Sequence, residues 1–209
     1  MFPDSFSQPL FLLATAVFSI TGVLAAARQN MDVLGLVIIG MVTAIGGGTL
    51  RDMMLDVPVF WLADPTYTIV AAVAAALTFF FERRFRATEQ ALLYLDGVAT
   101  ALFAVIATAK TQALGFSPVV ALTMGAITGV GGGLIRDLLT GHPTILLRRE
   151  LYITPLLLGG ALFLALDHFT RASNNLAMNL GMLCAAGIRL AAVRFRWQFP
   201  DELTYRAPR

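Results

Sequence analysis

The sequence predicts an all-α polytopic membrane protein with seven transmembrane helices, arranged as two inverted three-helix repeats followed by a C-terminal helix. Three observations predict it. The 209 residues are 57% hydrophobic and only 13% charged, whereas about a quarter of an ordinary soluble domain is charged, so a bilayer is the expected solvent. Seven apolar runs approach the roughly 17 to 25 residues that cross the hydrocarbon core. The chain also matches itself when shifted by 85 positions.

The runs are residues 10–27, 33–50, 66–81, 91–109, 111–135, 151–166 and 172–188. All lack charged residues except the fourth, which carries Asp96 near its start. Several are short for a span, so their ends are expected to extend into flanking polar residues. No linker or low-complexity tract divides the chain, which reads as one membrane domain over 1–209, with a first repeat at 8–85, a second at 91–170, and a seventh helix with a basic tail from 172–195 onward. The first nine residues contain Asp4 and no basic residue. They lack the positive n-region of a cleaved signal peptide, so the first run is expected to remain as a helix. Cys184, the single cysteine, falls in an apolar run and reads as a buried small residue.

Orientation follows from the basic residues. With the N-terminus outside, Arg28, Arg83, Arg84, Arg86, Arg136, Arg148, Arg149, Arg189, Arg194, Arg196, Arg206 and Arg209 fall on the cytoplasmic side. Only Arg51, Lys110 and Arg171 fall opposite. That bias is what the positive-inside rule expects of an N-outside, C-cytoplasmic chain. The net charge of +2 and the absence of a basic stripe with interleaved aromatics argue against nucleic acid as a partner.

The shift of 85 aligns Gly46-Gly47-Gly48-Thr49-Leu50-Arg51-Asp52 with Gly131-Gly132-Gly133-Leu134-Ile135-Arg136-Asp137. It also pairs Phe18 with Phe103, Thr43 with Thr128, Pro58 with Pro143 and Tyr67 with Tyr152. Each unit holds three spans, an odd number, so the second must enter the membrane from the opposite face. Inverted repeats recur in transport proteins whose site lies at the repeat interface.

Three adjacent glycines each cost close to 1 kcal/mol of helix propensity relative to alanine, so the second and fifth spans are expected to kink or break there. At about 1.5 Å per residue from Val33, the first triplet lies roughly 20 Å into the bilayer. A break at that depth is tolerated only where it lines water or is covered by protein. Freed carbonyls, helped by the hydroxyls of Thr43, Thr49 and Thr128, would then replace part of a cation's hydration shell. The competing reading is close helix packing, for which small residues are also used. Arg51 and Arg136 are expected to bond to carbonyls or carboxylates, with Asp52 or Asp137 facing water, or else to cap the helix ends as ion pairs.

Phe18 and Phe103 are candidate gate residues, against a lipid-facing or core role. Tyr67 and Tyr152 read as interfacial anchors, against hydrogen bonding in the pore. Asp96 suits a solvated or capping position as well as a pore position. His142 and His168 lack companions at metal-ligand spacing, so no metal is expected. No nucleophile with its base and no phosphate loop is present, and neither a catalytic residue nor a cofactor is expected.

The paired GGG-x-x-R-D motifs on the second and fifth spans resemble those of the prokaryotic trimeric intracellular cation (TRIC) channel family, also labelled a bacterial glycine-transporter family. The resemblance covers about residues 8–195. It implies a homotrimer in the inner, plasma membrane of a prokaryote, with a pore for potassium or another monovalent cation in each subunit and membrane lipid around it. It further implies that Gly46, Gly47, Gly48, Gly131, Gly132 and Gly133 line that pore, with Arg51, Asp52, Arg136 and Asp137 beside them. The family commonly starts each repeat with an acid, present as Asp96 but replaced by Phe11 in the first repeat. The basic lipid-binding motif of eukaryotic relatives is not found in the fourth span, so phosphoinositide regulation is not carried over. A cation channel is therefore expected, with a secondary transporter of glycine or another small solute as the alternative and a membrane scaffold behind both.

The orientation is open to a direct test. With Cys184 removed, cysteines introduced near Arg84 and near Asp201 should be shielded from a membrane-impermeant thiol reagent in intact cells. Labelling of both from outside would reverse the assignment.

Overall fold

The structure is a computed structural model that describes residues 7–27, 29, 31–85, 88–147, 150–170 and 173–200. Arg28, Arg86, Arg148, Arg149, Arg171, Arg206 and Arg209 of the orientation argument lie outside the described residues, as do the side chains of Arg83 and Arg84.

Helices run as α1 (Ser7–Ala26), α2 (Val33–Met54), α3 (Phe60–Ala63), α4 (Thr66–Phe85), α5 (Glu89–Ala113), α6 (Pro118–Thr140), α7 (Ile153–Phe169) and α8 (Asn174–Phe195), with a 3₁₀ turn at Ile145–Leu147. Their starts follow capping chemistry. The side chains of Asp32, Thr88, Ser117 and Ser173 accept from backbone amides of Gly35, Ala91, Val120 and Leu176, satisfying donors that a helix start leaves unpaired. Gly141 ends α6 in the left-handed region at φ 66°. Among the described residues five helices are long and apolar enough to cross a membrane: Gln8–Ala26, Val33–Met54, Glu89–Ala113, Pro118–Thr140 and Asn174–Phe195. The apolar stretches of α4 and α7, Thr66–Glu82 and Ile153–Phe169, are shorter.

Two expectations are corrected. The predicted fifth span began at residue 111, yet α5 continues to Ala113 and α6 starts at Pro118. The apolar run hid a turn through Gly115, at φ 86°, followed by the Ser117 cap and a proline at the first helical position.

The second correction concerns the glycine triplets. Both α2 and α6 stay helical through them, so of the expected kink or break, the break is not found. A break in hydrocarbon would leave backbone groups unpaired at several kcal/mol each, more than the propensity that glycine forfeits. Here the glycines serve contact between helices. A Cβ on Gly47 would collide with the Thr128 carbonyl, and one on Gly132 with the Thr43 carbonyl, a reciprocal pair at the 85-residue offset. A Cβ on Gly131 would come within 3.3 Å of the Gly47 Cα. Gly48 makes room for the Phe60 ring and Gly46 for Ile135.

The α2–α6 contact sits at the centre, with α1 packed on α2, α4 and α5, and α5 packed on α6, α7 and α8. An aromatic core fills the space between. Phe11 lies 5.0 Å from Phe60, 4.8 Å from Tyr67 and 5.2 Å from Phe103 between ring centroids.

Glycine at the crossing and glycine elsewhere should therefore respond oppositely to alanine. Gly132→Ala should lower thermal stability in detergent by about 1–3 kcal/mol, the usual cost of overpacking. Gly187→Ala, where nothing lies within 4 Å of the added methyl, should be neutral or stabilising by up to about 1 kcal/mol. Melting both variants beside the parent chain checks the contrast.

Candidate functional site

The two Arg-Asp pairs end α2 and α6, and each is buried. Arg51 Nε donates to Asp52 Oδ1 at 2.8 Å, and Arg136 Nε donates to Asp137 Oδ1 at 2.8 Å. The second carboxylate oxygen of each aspartate turns back to the chain eight residues on. Asp52 Oδ2 accepts from the Phe60 amide at 2.9 Å and Asp137 Oδ2 from the Ile145 amide at 3.0 Å. The main-chain carbonyls match as well, accepting from the Val57 and His142 amides at 3.0 Å. Each aspartate thus neutralises its arginine and ties down the loop that follows.

Around that shared frame the two clusters differ in charge. Lys110 Nζ reaches Asp52 Oδ1 at 2.7 Å, so the cluster of Arg51, Asp52 and Lys110 has one surplus positive charge. Arg51 Nη2 lies 2.8 Å from Asp52 Oδ1, while its Nη1 has no hydrogen-bond partner and its guanidinium carbon stands 5.9 Å from the Phe60 ring centroid. At the other cluster, Arg136 Nη1 donates to Asp96 Oδ1 at 2.7 Å and to the Thr21 hydroxyl at 3.1 Å. The Tyr152 hydroxyl donates to Asp96 Oδ2 at 3.1 Å. Arg136, Asp96 and Asp137 together have one surplus negative charge. Beside Asp137 lies a cavity of about 240 Å³, bordered also by Glu89, His142 and Ala25.

Several sequence-based site expectations change. Asp52 or Asp137 was expected to face water unless the pairs capped the helix ends; both are buried, with their oxygens engaged by arginine and by loop amides. The hydroxyls of Thr43, Thr49 and Thr128 donate to the carbonyls of Ile39, Ile45 and Met124 within their own helices, so no freed carbonyl stands beside them. Thr49 also accepts from Trp61 Nε1 at 2.9 Å. Tyr67 and Tyr152, expected as interfacial anchors, are buried. Phe18 and Phe103 stack on one another at 5.1 Å and 22°, joining the two halves of the molecule.

Sequence reasoning missed Lys110 as the partner of Asp52 and Asp96 as the partner of Arg136, and it ranked hydrogen bonding by Tyr152 behind anchoring. Signals existed for all three. Lys110 is the only lysine in the chain, and its place at the end of an apolar run made a paired role worth considering. The 85-residue offset equates Asp96 with Phe11 and Tyr152 with Tyr67, and those residues are neighbours in both halves.

Apolar helices of bilayer length with ion pairs buried inside the bundle define a polytopic membrane protein. The profile of the family described as "Glycine transporter" matches two stretches, residues 9–83 and 93–168. The UPF0126 inner membrane protein YadS of Escherichia coli is 42% identical over 193 residues, covering 91% of this chain and 93% of that one. A UPF0126 membrane protein of Vibrio cholerae is 38% identical over 194 residues, 90% and 80% of the two chains. The structure of the trimeric intracellular cation channel orthologue from Rhodobacter sphaeroides superposes with a TM-score of 0.88 at 40% identity, covering 93% of this chain and all of that one. The chain belongs to this trimeric intracellular cation channel family, which is also described under the glycine-transporter heading.

The shared carboxylate at the first cluster makes an ordered prediction. Asp52→Asn strands two cations and should cost about 3–5 kcal/mol, as loss of one partner of a buried pair does. Lys110→Met leaves Arg51 and Asp52 paired and should cost less. Thermal unfolding of the two variants in detergent checks the order, and a Lys110→Met protein as unstable as Asp52→Asn would show that Asp52 relies on Lys110.

Proposed function

We propose that the chain forms a cation channel, selective for potassium or other monovalent cations, with one pore in each subunit of a homotrimer. The observation that carries this reading is the likeness to the Rhodobacter sphaeroides channel over nearly the whole chain at 40% identity. A second channel structure of the family, solved to explain conductance, supports it at 29% identity and a TM-score of 0.82. On this reading the protein is not an enzyme, and its partners are the permeating ion, membrane lipid and two further copies of itself.

The path runs along α2 and α6. Gly46, Gly47, Gly48, Gly131, Gly132 and Gly133 border it as an unbroken packing seam, with Thr43, Thr49 and Thr128 alongside. Asp52 and Asp137 stand at its two ends, held by Arg51 and Arg136. The Phe18–Phe103 stack is its gate. Seven spans form two inverted repeats, 8–85 and 91–170, with the helix of 172–195 beyond them, in a prokaryotic inner membrane with the N-terminus outside and the C-terminus cytoplasmic. The inner-membrane location is supported by the name of the Escherichia coli relative.

A carrier for glycine or another small solute is the second reading, favoured by the description of the matching family. The two readings separate in planar bilayers. Purified protein in symmetric potassium chloride should give unitary current steps with a cation-selective reversal potential under a salt gradient. Glycine counterflow in liposomes without current steps would replace the channel with the carrier.

A further inference from the structure

Among the described residues three arginines are fully buried, and two of them belong to the Arg-Asp pairs. The third, Arg189, comes from α8, which lies beyond both stretches matched by the family profile. Its carboxylate contact is looser than those of the other two, since Nη1 stands 3.4 Å from Glu150 Oε2. Nη1 also donates to the Leu151 carbonyl at 3.0 Å. Its Nε and Nη2 have no hydrogen-bond partner. The guanidinium carbon lies 4.8 Å from the centroid of the Tyr152 ring, where attraction between cation and π face offsets part of the burial cost.

The placement is specific. A Cβ on Gly97 would stand 2.9 Å from Arg189 Cγ, so the arginine passes over α5 at the residue directly after Asp96. It then reaches the entrance of α7, where it fixes the backbone at Leu151 and the ring of Tyr152. That ring delivers its hydroxyl to Asp96 Oδ2, the oxygen that Arg136 does not hold. The first half has no such arrangement. Tyr67 there packs against Phe11 and Phe60 at 4.8 and 5.1 Å.

We propose that Arg189 is a positioning residue for the ion path: stacked on Tyr152 and bonded to the Leu151 carbonyl, it holds the Tyr152 hydroxyl on Asp96 and so sets how strongly Asp96 attracts a passing cation. The inference rests on the channel reading above, and Asp96 meets that path at Gly133, where an added Cβ would stand 3.3 Å from Asp96 Oδ1. A carboxylate oxygen satisfied by a phenol offers a cation a shallower well than a bare one. Loss of Arg189 frees the ring to turn, bares Asp96 Oδ2 and deepens the well. Cations then bind more readily and leave more slowly.

The test measures unitary conductance against potassium concentration for the full-length protein in planar bilayers. Arg189→Gln and Tyr152→Phe should each lower the half-saturating potassium concentration by roughly ten- to a hundredfold, the scale of one hydrogen bond to a charged group, and lower the saturating conductance as well. The double variant should match either single one, because both act through the same bond. A merely structural role for Arg189 would reduce yield or assembly without moving the half-saturation point. An assembled Arg189→Gln channel with the parent half-saturation overturns the proposal, as do effects that multiply in the double variant. If Arg189→Gln does not fold, Arg189→Lys, which keeps the charge but not the planar stack, should shift the curve in the same direction, and a parent-like curve overturns the proposal. Asp96→Asn separates the two levels. A changed Asp96→Asn curve with an unchanged Arg189→Gln curve removes the positioning role alone, whereas an unchanged Asp96→Asn curve removes Asp96 from the path and the inference with it.

Discussion

A guanidinium inside a bilayer-sized bundle has to be neutralised close by, because taking an ion out of water costs several kcal/mol even after relaxation. At the ends of α2 and α6 the neutralising carboxylate is the next residue along the chain, so the pair forms without waiting for any other helix. The geometry then spreads outward. Each aspartate spends one oxygen on its arginine and the other on an amide eight residues later. That bond folds the following loop back toward the helix end and fixes where α3 and the 3₁₀ turn begin. These elements lead into α4 and α7, and with them Tyr67 and Tyr152 arrive beside the clusters. Removing either carboxylate would release the loop as well as the charge.

The glycine triplets do a different job in the same frame. They bring α2 and α6 so close that the carbonyls of Thr43 and Thr128 occupy the places of missing methyl groups. Dispersion and short-range packing drive helix association where no hydrophobic force separates helix from lipid, and small residues make that contact possible. The Phe18–Phe103 stack closes the adjoining space from α1 and α5. Equivalent residues therefore meet their own counterparts near the centre, while the charged clusters lie toward the ends of the two helices.

Much of this was legible in the sequence, and the limits have physical reasons. Apolar runs and low charge gave the helical membrane class, since the bilayer imposes both. The 85-residue offset located the Arg-Asp pairs, because a repeated motif is visible without knowing what it touches. The triplets were expected to kink or break their helices because helix propensity is measured in water, where a freed amide finds a partner at once; both helices run through them unbroken. The boundary between α5 and α6 was blurred because a short apolar turn looks like span. Partners far apart in sequence were hidden. Lys110 and Asp52 are 58 residues apart, and Tyr152 and Asp96 are 56, so only helix packing brings them together.

The offset is most informative where it fails. Phe11 stands where the other half has Asp96, and Ala25 where it has Lys110. In one cluster an acid from α5 joins Arg136, and in the other a base from the far end of the same helix joins Asp52. Helix α5 thus serves both ends, with opposite charges 14 positions apart in the chain. With Phe11 in place of an acid, the aromatic contacts of Phe60 and Tyr67 close over Arg51 and keep water from it. With Asp96 present, a phenol and a second arginine are drawn in instead. Two halves that share a backbone plan therefore end with clusters of opposite surplus charge, Arg51, Asp52 and Lys110 against Arg136, Asp96 and Asp137.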